Sequence, residues 1–203
     1  MTMRLYPLLL LALFAVLSLP ARAELGLVDR EAGIGPAPVI VFEGAPPRTR
    51  DAAVTLADYL EKISGARPEI IDGAPSPVPD RAIWVGVQPA VKALFPGTNF
   101  EFAQPEETLL AANDKHLVIA GRDRWDPDHM EAKGRLLTKT GVQQEYGTAN
   151  AVYTFLRDHL GVRWLWPGEE EFVPRDRIAF APFETRYHPQ IRNRDGLFTK
   201  LSL

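Results

Sequence analysis

Three neighbouring carboxylates, Glu169, Glu170 and Glu171, are the residues whose type best suits acid–base chemistry on a sugar. Glycoside hydrolysis generally uses two carboxylates about 5–9.5 Å apart, placed on either side of the bond that breaks. Successive residues of a strand point to alternate faces, so direct neighbours do not easily converge on one substrate. A charge run after Pro-Gly is typical of a solvated turn, and we assign no catalytic residue here.

A metal site is also not predicted. Asp126, Asp128 and His129 offer oxygen and imidazole ligands, but their spacing matches no strong ligand pattern. The sequence contains no H-E-x-x-H motif, which would place two histidines on one helical face. We therefore expect no metal and no cofactor.

Nucleophilic catalysis lacks its usual signals. The chain has no cysteine. No G-x-S-x-G elbow surrounds a serine, and the histidines are expected at a hairpin end and on a helix. The residues concerned are Ser64, Ser76, Ser202, His116 and His159.

The most suggestive polar segment is Arg122, Asp123, Arg124 and Trp125. An aromatic ring beside guanidinium donors suits a sugar face or a uronate carboxylate. We therefore take Arg122 and Trp125 as candidate substrate-binding residues, the alternative being a loop that packs against another domain. Two further tryptophans, Trp164 and Trp166, are expected in core or interdomain packing rather than in a sugar platform.

Two amphipathic helices are predicted to support these segments. The first is capped by Thr49 and ends at Gly65, and the second begins near Thr148 and ends at Gly161. Apolar residues recur at helical spacing in both, namely Ala53, Leu56, Ala57, Leu60 and Ile63, then Ala149, Val152, Tyr153, Leu156 and Leu160.

Short apolar runs predict the strands, and Asn113 to Lys115 predict a turn that joins two of them as a hairpin. The segment 121–146 loses periodicity and is expected to be a long functional or disordered loop. Helices separated by strands imply an α+β fold, with a mixed sheet carrying two main helices. The predicted strands are 39–42, 69–72, 82–85, 109–112, 116–120, 162–166 and 178–180.

Composition excludes several classes of partner. The 23 basic and 26 acidic side chains give a net charge of −3, so nothing favours nucleic acid or an anionic membrane. The absence of cysteine leaves stability to packing rather than to disulfides.

The first 23 residues have the three parts of a secretory signal peptide. Arg4 supplies the charge, an apolar run follows, and Ala21, Arg22 and Ala23 form an A-x-A site that predicts cleavage after Ala23. The alternative, a membrane anchor, generally needs a run of about 20 apolar residues, and this run is shorter. We expect a secreted or periplasmic protein with one domain over 24–183 and a linker over 184–203.

Three stretches carry a resemblance to a known family. The first is the predicted helix from Ala53 with the strand after it, and the second is the hairpin ending in 117–121. The third is the block YGTANAVYTFL at 146–156, which leads to RWLWPGE at 163–169. Together they resemble the N-terminal domain of family 67 α-glucuronidases and the related zincin-like domain of family 20 hexosaminidases.

That resemblance implies a non-catalytic, zincin-like domain that precedes a (β/α)8 barrel, with the catalytic carboxylates on the barrel. Residues 186–192 then resemble the entry into the first barrel strand. The implied function is an accessory domain of a secreted α-glucuronidase-like glycoside hydrolase, without activity of its own. Two alternatives stay open: a stand-alone carbohydrate-binding module, and a subunit that pairs with a separately encoded barrel.

Overall fold

The computed structural model describes residues 24–190; the predicted signal peptide, the tail 191–203 and Ser202 lie outside them. Three helices and fourteen strands occur in that range. In chain order they are β1 (Leu25–Asp29), β2 (Val39–Val41), α1 (Pro47–Ser64), β3 (Ile70–Asp72), β4 (Ala82–Val85), α2 (Pro89–Leu94), β5 (Thr108–Ala112), β6 (His116–Gly121), β7 (Asp123–Asp126), β8 (Met130–Lys133), β9 (Leu136–Lys139), β10 (Val142–Tyr146), α3 (Gly147–Asp158), β11 (Arg163–Trp166), β12 (Glu169–Glu171), β13 (Arg177–Phe180) and β14 (Phe183–Tyr187).

A six-stranded mixed sheet, in the order β14-β5-β6-β4-β2-β3, forms the centre of this α+β fold. Strands β3, β2, β4 and β6 are parallel, and β5 and β14 add antiparallel pairs. The predicted hairpin β5–β6 is confirmed. Its turn is held by Asn113, whose Oδ1 accepts hydrogen bonds from the amides of Lys115 at 2.9 Å and His116 at 2.7 Å.

Alternate residues of the central strands divide the core into two layers, because successive side chains of a strand point to opposite faces. On one face, residues such as Ile83 and Leu117 pack with α1 and α3. On the other, Trp84 and Val118 pack with α2 and Phe95. The two predicted helices therefore cover one face, and α2, whose six residues are too few for a periodic signal, covers the other.

Helix α1 ends as predicted but begins differently. Gly65 has a φ of 73° and closes the helix, whereas the N-cap is Pro46 and Thr49 lies inside the first turn. The predicted cap at Thr49 is wrong because Pro47 starts the helix without needing an amide partner. In α3 the cap is His159, and Gly161, at a φ of 76°, follows two residues later.

The loop predicted over 121–146 is wrong, because the segment contains four strands. β7 pairs with β10, and between them β8 pairs with β9, so the segment is a long folded-back arm. Both β8 and β9 are exposed along their whole length. The sequence MEAK of β8 alternates apolar and polar residues over only four positions, and LLTK of β9 does not alternate, so neither carries a strong strand signal.

The C-terminal strands lie partly outside the central sheet. β11 pairs with β12 as a separate hairpin, and β1 pairs with β13. β14 pairs with β5 at the edge of the central sheet, so residues 184–187, assigned above to a linker, belong to the sheet instead. Their polar, partly exposed side chains concealed the strand.

Candidate functional site

The start of α3 is positioned by a close contact between two backbone segments, at Gly121–Arg122 and at Gly147, which we call the backbone crossing. The amide of Gly147 donates to the carbonyl of Arg122 at 2.9 Å, and the amide of Arg122 donates to the carbonyl of Glu107 at 2.8 Å. A Cβ on Gly147 would lie 2.3 Å from the nitrogen of Arg122, and one on Gly121 would lie 2.2 Å from the carbonyl carbon of Gly147. Both glycines are needed because the two backbones touch.

Two acidic side chains cap α3 from distant segments. Asp123 Oδ1 accepts from the amide of Thr148 at 3.0 Å, and its Oδ2 accepts from the Thr49 hydroxyl at 3.3 Å. Burial raises the pKa of Asp123, although these hydrogen bonds oppose the rise. Glu106 accepts from the amide of Tyr146 at 3.2 Å and from Asn150 at 2.6 Å. Carboxylates at a helix start satisfy its free amides and its positive dipole end.

Arg122, the first predicted binding residue, already has partners. Its Nε lies 3.0 Å from the buried carboxylate of Glu145, and its Nη1 donates to the carbonyl of Ala103 at 3.0 Å. It lines a cavity of 360 Å³ together with Lys92 and the rings of three phenylalanines, Phe42, Phe100 and Phe102. Arg122 therefore links β10 to the chain before β5 and also lines this cavity, so its role in binding stays a prediction.

Trp125, the second predicted binding residue, lies on the arm. Its ring packs on Gly141, where a Cβ would come within 2.4 Å of Cη2. It lines a different cavity, of 290 Å³, with Arg48 and Tyr146. The structure thus places Arg122 and Trp125 in separate cavities and does not bring them together in one.

The other acidic candidates are held in local interactions. Asp126 accepts from the amide of Asp128 at 3.0 Å in a turn, and Asp128 pairs with Lys139. Glu170 accepts from the Tyr59 hydroxyl and pairs with Lys62, and the two hydrogen bonds lower its pKa. Within residues 24–190 no three acidic or histidine side chains come together as a metal site.

The candidate histidines have structural surroundings. His116 Nδ1 accepts from the indole of the buried Trp84 at 3.4 Å. His159 is stacked between Phe155 and Phe183, with ring centroids 5.3 and 4.6 Å away. Burial lowers the pKa of both imidazoles. Ser64 is buried at the end of α1, where its hydroxyl donates to the carbonyl of Leu60 at 2.7 Å.

Sequence reasoning missed a cavity of 630 Å³ that we call the α3 groove. Three half-exposed aromatic rings enter it: Tyr153 from α3, Trp164 from β11 and Tyr187 from β14. Tyr153, counted above among the apolar residues of this helix, is 43% exposed and shares the outer side of α3 with Asn150, Thr154 and Arg157. The helical spacing of these four residues is the signal that could have indicated this face. The remaining lining residues are Glu106, Thr108, Asp158, Thr185 and Pro189.

The Trp164 ring is held in place from behind. Its indole Nε1 donates to the Tyr59 hydroxyl at 2.6 Å, and Tyr59 in turn donates to Glu170. The ring meets Tyr59 and Tyr153 edge-on, with centroids 5.7 and 5.8 Å away. Burial, followed by the hydrogen bond to Glu170, raises the pKa of Tyr59 to about 12, so this phenol stays protonated at neutral pH. Of the two kinds of packing expected for Trp164, in the core or between domains, the core is excluded, because the ring is 44% exposed.

Next to the groove, the hairpin β11–β12 and the chain after it present apolar side chains to solvent. We call Leu165, Trp166 and Val173 the hairpin patch; they are 57%, 76% and 64% exposed. Trp166 also lies outside the core, because this hairpin pairs with itself and not with the central sheet. The other half of the expectation, packing against another domain, stays a prediction. Leu165 and Trp166 follow each other in β11 and so point to opposite faces of the hairpin. Large apolar side chains exposed on one hairpin favour it as an interaction surface.

No protein-family model and no curated protein matches the chain. Within residues 24–190, no helix has the length and apolar character that a membrane-crossing helix requires.

Proposed function

We propose that this chain is the non-catalytic, zincin-like accessory domain of an exported α-glucuronidase-like glycoside hydrolase, and that it packs against a catalytic barrel. The hairpin patch carries this proposal. Its most exposed residue is Trp166, a large ring with little packing of its own within the domain. Covering such a ring would stabilise a contact with a second domain by burying apolar area.

The block that carries the family resemblance supports the same proposal. Its Gly147 and Thr148 form the backbone crossing and the capped start of α3. Its Trp164, Leu165 and Trp166 form β11. The similar residues thus build one structural unit, a helix start followed by an exposed hairpin, rather than a catalytic constellation.

The interactions that the carboxylates make also favour an accessory role. Glu106 and Asp123 cap a helix, while Glu107, Glu145 and Glu170 are each paired with a cation. A glycosidase needs two carboxyl groups that face a substrate across a cleft. These five are engaged in holding the fold, including Glu106, which lines the α3 groove but accepts hydrogen bonds from the amide of Tyr146 and from Asn150.

The first experiment assays the purified chain on aryl glycosides and on aldouronic acids. We expect no turnover above a heat-treated sample. Robust hydrolysis of either substrate would overturn the non-catalytic assignment.

The second experiment tests the partner. The tagged protein is recovered from its native source under non-denaturing conditions, and we expect mass spectrometry to find peptides of a (β/α)8 glycoside hydrolase, on the same chain or on a separate one. We expect Leu165→Glu to weaken the association. If the barrel is a separate chain, less of it is recovered with the tagged protein. If the barrel is on the same chain, proteolysis between the two domains becomes faster. Leu136→Glu, on the exposed arm, is the matched control and leaves it unchanged. Recovery without any such barrel contradicts the proposal.

A further inference from the structure

The α3 groove combines flat rings with polar groups in a way that the hairpin patch does not. Tyr153 and Tyr187 are 43% and 56% exposed and, like Trp164, present ring surface to solvent. The hydroxyls of Thr154 and Thr185 and the carboxylate of Asp158 line the same groove. Aromatic rings cover the apolar C–H faces of sugars, while hydroxyl and carboxylate groups bind sugar hydroxyls.

The groove is also held in shape before any ligand arrives. Trp164 is fixed through Tyr59 to Glu170, and Glu170 is fixed by Lys62. Tyr153 stands on α3, whose start is fixed by the glycine crossing. A rigid site loses less conformational entropy on binding, which favours even a modest ligand.

The charges that line the groove disfavour an anion. The guanidinium of Arg157 donates twice to Asp158, at 2.6 and 2.7 Å, so its charge is already neutralised. Glu106 contributes a further carboxylate. Among the described residues that line the groove, no second cation is present to attract a uronate, whereas a neutral sugar needs none.

We propose that the α3 groove binds a neutral oligosaccharide, such as a stretch of unsubstituted glycan chain, by stacking sugar rings on Tyr153, Trp164 and Tyr187. The volume of 630 Å³ falls within the usual size of small-molecule sites, about 300–1,000 Å³. This site is distinct from the predicted Arg122 and Trp125 pair. It also does not depend on the proposed barrel contact, since a binding module without a barrel could use it equally.

Calorimetric titration with xylotetraose, with cellotetraose and with an aldotetraouronic acid tests the proposal on the full chain. We expect saturable binding of at least one neutral tetrasaccharide, with weaker binding of the acid. Tyr187→Ala weakens the binding by about tenfold or more, as expected for removing one aromatic contact. Trp166→Ala and Trp125→Ala, which remove rings outside the groove, leave it unchanged.

A second readout guards against a variant that fails to fold. Trp164→Phe keeps an aromatic ring in place but removes the fluorophore in the groove, so the change in tryptophan emission on adding the tetrasaccharide disappears. No binding of either neutral tetrasaccharide overturns the proposal, as does binding lost in Trp125→Ala but retained in Tyr187→Ala. Leu165→Glu separates the two proposals, because it weakens the barrel contact and leaves sugar binding intact.

Discussion

Replacing Gly147 with alanine tests whether the backbone crossing at the start of α3 is essential. Alanine normally stabilises a helix relative to glycine by up to about 1 kcal/mol. Here the new Cβ would lie 2.3 Å from the nitrogen of Arg122, 2.5 Å from its oxygen and 2.7 Å from the oxygen of Glu107. All three are backbone atoms, so none can rotate away as a side chain could.

The size of the effect follows from these distances. Ordinary Cβ contacts begin near 3.4 Å, so the helix start must shift by about an ångström. Overpacking of this kind costs roughly 1–3 kcal/mol. The shift also strains the hydrogen bonds from the amides of Gly147 and Thr148 to Arg122 and Asp123, each contributing about 1 kcal/mol. We expect a net loss of about 3 kcal/mol, opposite in sign to helix propensity.

Urea denaturation followed by circular dichroism measures this loss as a lower midpoint with an unchanged slope. Gly97→Ala is the matched control, because Gly97 is exposed and a Cβ there meets nothing within 4 Å. It leaves stability unchanged or raises it slightly. An unfolding free energy for Gly147→Ala within about 0.5 kcal/mol of the wild type would refute the reasoning, since that is the ordinary range for a substitution without a clash.

Three further predictions concern the supports of the groove and of the sheet edge. Arg186→Met leaves the nearly buried carboxylate of Glu107 without the guanidinium that lies 2.6 Å away, and lowers the unfolding free energy in urea by about 3 kcal/mol. Arg177→Met is its control and has a much smaller effect, because the Arg177 guanidinium is exposed and its shorter ion pair is with the exposed Glu24. Tyr59→Phe removes the hydroxyl that binds Trp164 and Glu170, costs about 1 kcal/mol and changes the tryptophan emission; unchanged emission would contradict the proposed support. Burial lowers the pKa of His159 in the folded state, so the unfolded chain binds a proton at His159 more readily than the folded chain does. Its contribution to stability is therefore complete above the ordinary pKa of about 6.5 and is lost as the pH falls below it. In the His159→Gln variant the free energy of unfolding falls less steeply between neutral and mildly acidic pH. The same steepness as in the wild type would contradict the role of His159.

Much of the central fold could be predicted from the sequence, because its signals are local. The apolar spacing from Ala53 to Ile63 indicates α1, and Gly65 marks its end. The runs on either side of Asn113 indicate the β5–β6 hairpin. In each case the pattern records which side chains must leave water, and a short stretch of chain contains the whole signal.

Elements without a buried face could not be read in this way. Strands β8 and β9 are exposed throughout, and β14 carries polar side chains, so none of the three has the run of buried apolar residues that distinguishes a strand from a loop. Thr49 looked like a helix cap because capping is usually local. Its hydroxyl instead donates to Asp123, 74 positions away in sequence, and only the tertiary structure shows this partner.

The sequence alone determined the types of residue available: no cysteine, few histidines, carboxylates in short runs, and tryptophans near one Pro-Gly turn. It also indicated two helices and a mixed sheet. Only the tertiary structure decided which of these residues share a surface. It placed Arg122 and Trp125 in different cavities. It also brought Tyr153 of a helix, Trp164 of a hairpin and Tyr187 of a sheet edge into a single cavity, the α3 groove. The physical reason is that a groove depends on how elements pack, and that packing rests here on contacts such as Gly121 against Gly147, between segments far apart in the chain.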